Sequence, residues 1–140
     1  MLKELYLHLL FHEQYDFVVL DVSQDLWNSE VKQALSYSHQ VFLTITQDVS
    51  VIGNVIYWLN EWRKEGIYVE KKMRYLLNKY EEMELTLNDV KEWLNISDLL
   101  VIPSLNREFL QANYLGLPVL LTKEEGKIRT IYRQLEQTIQ

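Results

Sequence analysis

Apolar residues recur along this chain with two alternating periods, one helical and one extended. Leu2, Leu5, Tyr6, Leu9 and Leu10 share one stripe, which predicts an amphipathic helix over residues 2–11. It leads into Tyr15-Asp16-Phe17-Val18-Val19-Leu20-Asp21-Val22, where Phe17 to Leu20 are continuously apolar. Such a run reads as a strand buried on both faces of a parallel sheet, here ending on an acid. Asn28 or Ser29 can cap a helix through about Ser38, with Val31, Ala34 and Leu35 as its inward stripe. Residues Gln40 to Thr46 return to strand, Val41, Leu43 and Ile45 alternating with Phe42, Thr44 and Thr46.

The alternation of element types continues to the end. Asp48 or Ser50 starts a helix with Val51, Val55, Ile56, Leu59 and Trp62 inward, and Gly66 stops it. Trp58 and Trp62, four apart, fit a cofactor shelf by spacing, but such a pair is more commonly core or a partner-facing ridge. Met73 to Asn78 reads as strand, followed by the charged loop Lys79-Tyr80-Glu81-Glu82. Thr86-Leu87-Asn88-Asp89 forms a capping box with Asp in place of Glu, opening a short helix through Val90, Trp93 and Leu94. Leu99 to Ile102 is a strand closed by Pro103, and a helix from about Arg107 to Leu115 ends at Gly116. Val119 to Leu121, after Pro118, is a candidate last strand, and the final helix from about Lys127 carries Ile128, Ile131, Tyr132, Leu135 and Ile139 on one stripe. The order predicts one α/β domain over residues 1–140, with a mostly parallel sheet of about four to five strands and helices on both faces.

Composition narrows the chemistry. At 140 residues and 48% hydrophobic content the chain can bury a core without staples. It has no cysteine, so disulfides, thiolate nucleophiles and cysteine-ligated zinc are excluded. A net charge of −6 without a Lys/Arg run argues against nucleic acid as a partner. No apolar stretch approaches the ~20 residues of a membrane span, and Met1-Leu2-Lys3-Glu4 is too acidic for a signal peptide, so a cytoplasmic location is expected. His8 and His12, spaced i, i+4 beside Glu13, lack a third converging ligand and read as a solvated helix face. Asp21 admits two readings: an acid at a strand's carboxyl end can hold a metal-bound water or a phosphate-linked cation, or it can satisfy a loop or cap a helix.

The order of these pieces resembles the carboxyl-terminal half of the MinD/ParA family of deviant P-loop ATPases, most closely its pilus-assembly (CpaE/TadZ-type) branch. Tyr15 to Asp21 is similar to the family's "YDxVIID" Walker-B strand. Thr44 to Gly66 resembles its strand ending in threonine and following helix, with Asn54 in register. Tyr75-Leu76-Leu77-Asn78-Lys79-Tyr80 resembles "hhhNrh", Ile102-Pro103-Ser104-Leu105 matches "IPxD" in part, and Ala112 to Pro118 resembles "AixxGkPl". The resemblance implies a P-loop/Rossmann-like half, with Asp21 holding the water shell of Mg²⁺, Asn78 hydrogen-bonding the adenine edge and the backbone near Pro103 lining the base.

The departures are as informative. No glycine-rich loop with Gly-Lys-Thr or Gly-Lys-Ser occurs, so the cradle and lysine that neutralise β- and γ-phosphate charge are missing from this sequence. Val22-Ser23-Gln24 replaces the family's Pro- and Gly-containing turn, and Leu105 stands where the family has Asp. The resulting expectation is a non-catalytic interaction or assembly module, a partial or degenerate ATPase domain with a protein partner or self-association and no cofactor of its own. Alternatives are half of a split or truncated enzyme that binds Mg-ATP once a phosphate-loop segment is supplied, a plain α/β scaffold, and a receiver-like signalling domain. The last rests on the similarity of Val19 to Val22 to a phosphoacceptor strand, with Thr46 and Lys79 as switch residues, but only a helix precedes that strand. In the sheet, Phe17 to Val22 is expected to pair directly with Val41 to Thr46, the alternative being an open slot filled by a strand from another molecule.

Overall fold

A computed structural model describes residues 17–22, 25, 27–82, 85–121 and 125–139. Helix α1 (Ser29–Tyr37) opens on Asn28, whose side-chain oxygen accepts the Glu30 amide at 2.8 Å. Strand β1 (Val41–Ile45) follows, then α2 (Val49–Lys64), with Asp48 as cap, accepting the Ser50 amide at 2.8 Å. At its far end Ile67 N–H donates to Trp62 and Gly66 N–H to Arg63, a Schellman closure that needs the left-handed φ of 78° at Gly66. A 3₁₀ turn (Glu70–Lys72) enters β2 (Met73–Tyr80). Helix α3 (Leu87–Leu94) carries the reciprocal capping box of Thr86 and Asp89. Strand β3 (Leu100–Pro103), α4 (Asn106–Leu115) and α5 (Glu125–Ile139) complete the order.

The described sheet is β1-β2-β3, all parallel, with Val41 to Ile45 opposite Met73 to Leu77, and Leu76 and Leu77 opposite Leu100 and Val101. Strand alternation places Ile45, Met73, Tyr75 and Leu77 on one side, and α1, α2 and α3 all pack there. Trp62 and Leu77 sit at the bottom of this core, 2% and 0% exposed. Lys32 fastens α1 to α2 by an ion pair with Glu65 at 2.6 Å while its ammonium lies 5.4 Å from the Trp27 ring. Lys72 donates to the carbonyls of Ser36 and Ser38, covering the carboxyl end of α1. A second, smaller cluster of Leu105, Ala112, Val119 and Ile128 holds α4 and α5 together, and α5 reaches back to the sheet where Gln40 donates to the Thr138 carbonyl at 2.9 Å.

Three expectations change. Residues Phe17 to Val22 belong to no strand: β1 pairs with β2 alone among the described residues, and the expected direct pairing is not formed. Without a neighbouring strand the run stays exposed, Val19 at 89%. Residues Val119–Leu121 form a 3₁₀ turn instead of a last strand, because Leu121 N–H closes back on the Pro118 carbonyl at 2.9 Å. The described sheet has three strands rather than four or five. The expected helix over residues 2–11, with His8, His12 and Glu13, lies outside the described residues.

Of the tryptophan pair, Trp62 is core and Trp58 packs half-buried against it. Trp62→Ala should therefore cost about 3–5 kcal/mol in urea unfolding; a loss under ~1 kcal/mol would contradict this packing. The Asp48 and Asp89 carboxyls lie below their ordinary 3.8 because the side chains and amides of Ser50 and Thr86 hydrogen-bond to them. Depressed carboxylates contribute stability above the unfolded value and lose it as pH falls through the folded one. Thermal unfolding should accordingly drop below about pH 4 with a shallower slope in Asp48→Asn/Asp89→Asn, whereas an unchanged slope would remove these caps as its source.

Candidate functional site

Three parallel strands deliver their carboxyl ends to one rim, where open α/β sheets bind ligands. After β1 come Thr46, Gln47 and Asp48; β2 ends through Asn78, Lys79 and Tyr80; β3 ends at Pro103, Ser104 and the buried Leu105. Gln47 ties the rim together, accepting the Glu81 amide at 2.9 Å and donating to the Leu85 carbonyl at 2.9 Å. Ser104 N–H donates to the Tyr80 carbonyl at 2.9 Å, joining β2 to the start of the β3–α4 connection.

The end of β2 departs from regular geometry. Its pairing with β3 steps from Leu77–Val101 to Tyr80–Pro103, so three residues of β2 pass two of β3. The extra residue is absorbed at Asn78–Lys79, where Lys79 takes φ 56° and its amide donates to the Asn78 side-chain oxygen at 3.0 Å. This bulge returns Tyr80 to the core side, where it packs against the main cluster, although simple alternation would put it on the other side. A lysine in the left-handed region costs about 1 kcal/mol or more, and such strain concentrates where side chains must be re-aimed.

The structure brings two of the three sequence-derived site residues together. Asn78 and Pro103 stand on adjoining strand ends, both half-buried, within two residues of the Tyr80–Pro103 pair. With one lone pair of Oδ1 given to Lys79, the Asn78 amide keeps a second lone pair and its N–H donors for a ligand. Thr46, one residue beyond the Ile45–Leu77 pair, is carried beside Asn78. Asp21 is exposed in the irregular segment, and no hydrogen bond or ion pair joins it to Asn78 or Pro103 among the described residues. No group of three His, Asp or Glu side chains is placed to hold a metal among the described residues.

Sequence reasoning missed the Gln47 clamp and the bulge; neither has a local signature, since a glutamine after a strand and an Asn-Lys pair occur in many contexts. Two open grooves also lie away from this rim. One, of about 530 Å³, runs between Leu99–Val101 and the α5 residues Gln134, Gln137 and Thr138; the other, of about 420 Å³, is lined by Leu121, Arg129, Tyr132, Arg133 and Glu136. Helix α4 buries only Ala112, while Leu110 and Tyr114 are 68% and 91% exposed. No described helix is long and apolar enough to cross a membrane.

Comparison with protein-family models, with curated proteins and with solved structures gives no match to this chain. The site therefore rests on its own geometry. Because Lys79 takes a left-handed φ that glycine adopts freely, Lys79→Gly should raise stability by about 1 kcal/mol in chemical denaturation. A destabilised glycine variant would mean that the lysine side chain itself holds the bulge.

Proposed function

We propose that this chain is a non-catalytic interaction or assembly module, a degenerate MinD/ParA-like domain working through a protein partner or a second copy of itself in the cytoplasm. The observation that carries the reading is the surface around α4 and α5. Four large apolar residues of the ten-residue α4 (Phe109, Leu110, Tyr114 and Leu115) are exposed, and so are Leu117, Leu121 and Tyr132. Large apolar side chains left exposed in this number on two packed helices favour a contact with another macromolecule. The absence of a Gly-Lys-Thr or Gly-Lys-Ser loop from the sequence supports the same reading, since nothing here supplies the charge that phosphoryl transfer needs. The four-to-five-stranded sheet covered on both faces belongs to this proposal, as does a residual adenine-facing role for Asn78 and Pro103.

A second reading keeps one specific support. Asn78 and Pro103 do stand side by side at a strained bulge. Half of a split Mg-ATPase would place its base there, with Asp21 toward Mg²⁺, once another segment supplied the phosphate loop. Isothermal titration of the chain with Mg-ATP and Mg-ADP distinguishes the two: no saturable heat up to about 1 mM is expected, and saturation well below that concentration would favour the split enzyme.

The apolar surface has its own test. Because Leu110 and Tyr114 bury little in this chain, Leu110→Asp and Tyr114→Asp should each change unfolding stability by no more than ~0.5 kcal/mol. Losses above ~2 kcal/mol would show that the residues are held within the fold and do not await a partner.

A further inference from the structure

The two described crossovers, β1-α2-β2 and β2-α3-β3, run in one direction along the sheet. Strand order β1-β2-β3 follows the sequence, and the crossover helices α2 and α3 lie on the same side of the sheet. Helix α1 packs on that side too, burying Val31, Ala34 and Leu35, although no described strand precedes it in the sheet. A right-handed crossover through α1 into β1 has its first strand on the free edge of β1, parallel to it.

That edge is unguarded. Val41–Ile45 contains no charge, proline or bulge, the devices by which edges resist pairing. The opposite edge differs: β3 is shorter, ends in Pro103 and has α5 beside it. The candidate for the vacant place is the six-residue run Phe17 to Val22, one helix upstream. Its exposure already alternates. Val18 and Val22 are 44% and 39% exposed and Leu20 is half-buried, whereas Phe17 and Val19 are 65% and 89% exposed and Asp21 is exposed. An alternation of period two is what a strand needs in order to turn Val18, Leu20 and Val22 toward a core, although here Val18 and Val22 are still exposed.

We propose that Phe17–Val22, unpaired in the conformation described above, has a second, docked conformation in which it adds to β1 as a fourth, parallel strand and thereby closes this edge to a second copy of the chain. Burial selects the register. Placing Val18, Leu20 and Val22 beside Val41, Leu43 and Ile45 puts the less exposed set on the helix-covered side. The same register sets Asp21 beside the exposed Thr44, on the solvent side near the rim that holds Asn78. A slip of one residue would bury Asp21 next to Ile45, which is 1% exposed, and costs a buried charge. Undocked, the segment and the edge each present an apolar, hydrogen-bonding surface that another molecule can pair with. The docking step stands by itself; the closing of the edge against a second copy rests on the assembly reading above.

The absence of cysteine makes the test clean. Asp21→Cys/Thr44→Cys replaces two exposed residues, and mild oxidation of the full chain should yield an intrachain disulfide, with loss of both free thiols and monomeric migration on a non-reducing gel. Asp21→Cys/Tyr68→Cys, at an exposed loop residue 72% accessible, is the control and should keep its thiols. An interchain disulfide in the first variant would give the edge to a second copy and overturn docking in the same chain; two free thiols would overturn docking altogether. Leu20→Asp, which opposes docking, should then shift the sedimentation mass from 16.8 kDa toward twice that value. If the mass stays monomeric while the Asp21–Thr44 disulfide forms, docking stands and the closing of the edge is overturned. The Mg-ATP titration is untouched by these outcomes, so failure here and failure of the functional reading are told apart.

Discussion

Everything described in this fold depends on the burial of one side of the β1-β2 pair. Ile45, Met73, Tyr75 and Leu77 offer a continuous apolar floor, and Ile52, Val55, Leu59 and Trp62 of α2 fill it. Right-handed crossovers then leave α1 and α3 no other place than either side of α2. Burying an aromatic and several aliphatic side chains at about 25 cal/mol per Å² outweighs any surface ion pair on the molecule. Lys32–Glu65 and Arg63–Glu70 consequently orient helices that the core already holds. The cooperative part of the molecule is therefore α1 to β3, while α4 and α5 are joined through their own smaller cluster.

That division shapes what the molecule can do. A helix pair held by Leu105, Ala112, Val119 and Ile128 can leave most of α4 exposed without loosening the sheet. The rim holding Asn78 and Pro103 sits at the seam, since β3 feeds directly into α4 and Ser104 ties that connection to Tyr80. The bulge at Lys79 serves the core first, by returning Tyr80 to it, and the re-aimed Asn78 is a by-product that a ligand can exploit. The exposed apolar residues of α4 and the rim are thus linked through a single connection of few residues.

Much of the fold was legible because its signals are local. Asn28, Asp48, Thr86–Asp89, Gly66 and Gly116 each act where the sequence puts a cap or a stop, and helical stripes such as Val31, Ala34 and Leu35 are buried as their spacing requires. The misreadings arise where a partner element decides. Phe17 to Leu20 has the composition of a buried strand, but a strand exists only beside another, and Val119 to Leu121 turns because Pro118 accepts where a strand would pair. Asn78 and Pro103 were singled out through the resemblance, and the nearness of their strand ends follows from the β2–β3 register. The Gln47 clamp and the left-handed Lys79 were illegible, because both are set by tertiary contacts across 34 residues or by a bulge in pairing.

Native-state hydrogen exchange under EX2 conditions tests the central division most directly. The account predicts that Tyr75, Leu76 and Leu77 amides exchange only through global unfolding, while α4 and the second half of α5 exchange through a smaller opening at least about 1 kcal/mol less costly. Equal protection of α4 and β2, tracking global stability together, would contradict a contact surface carried on a separately held helix pair.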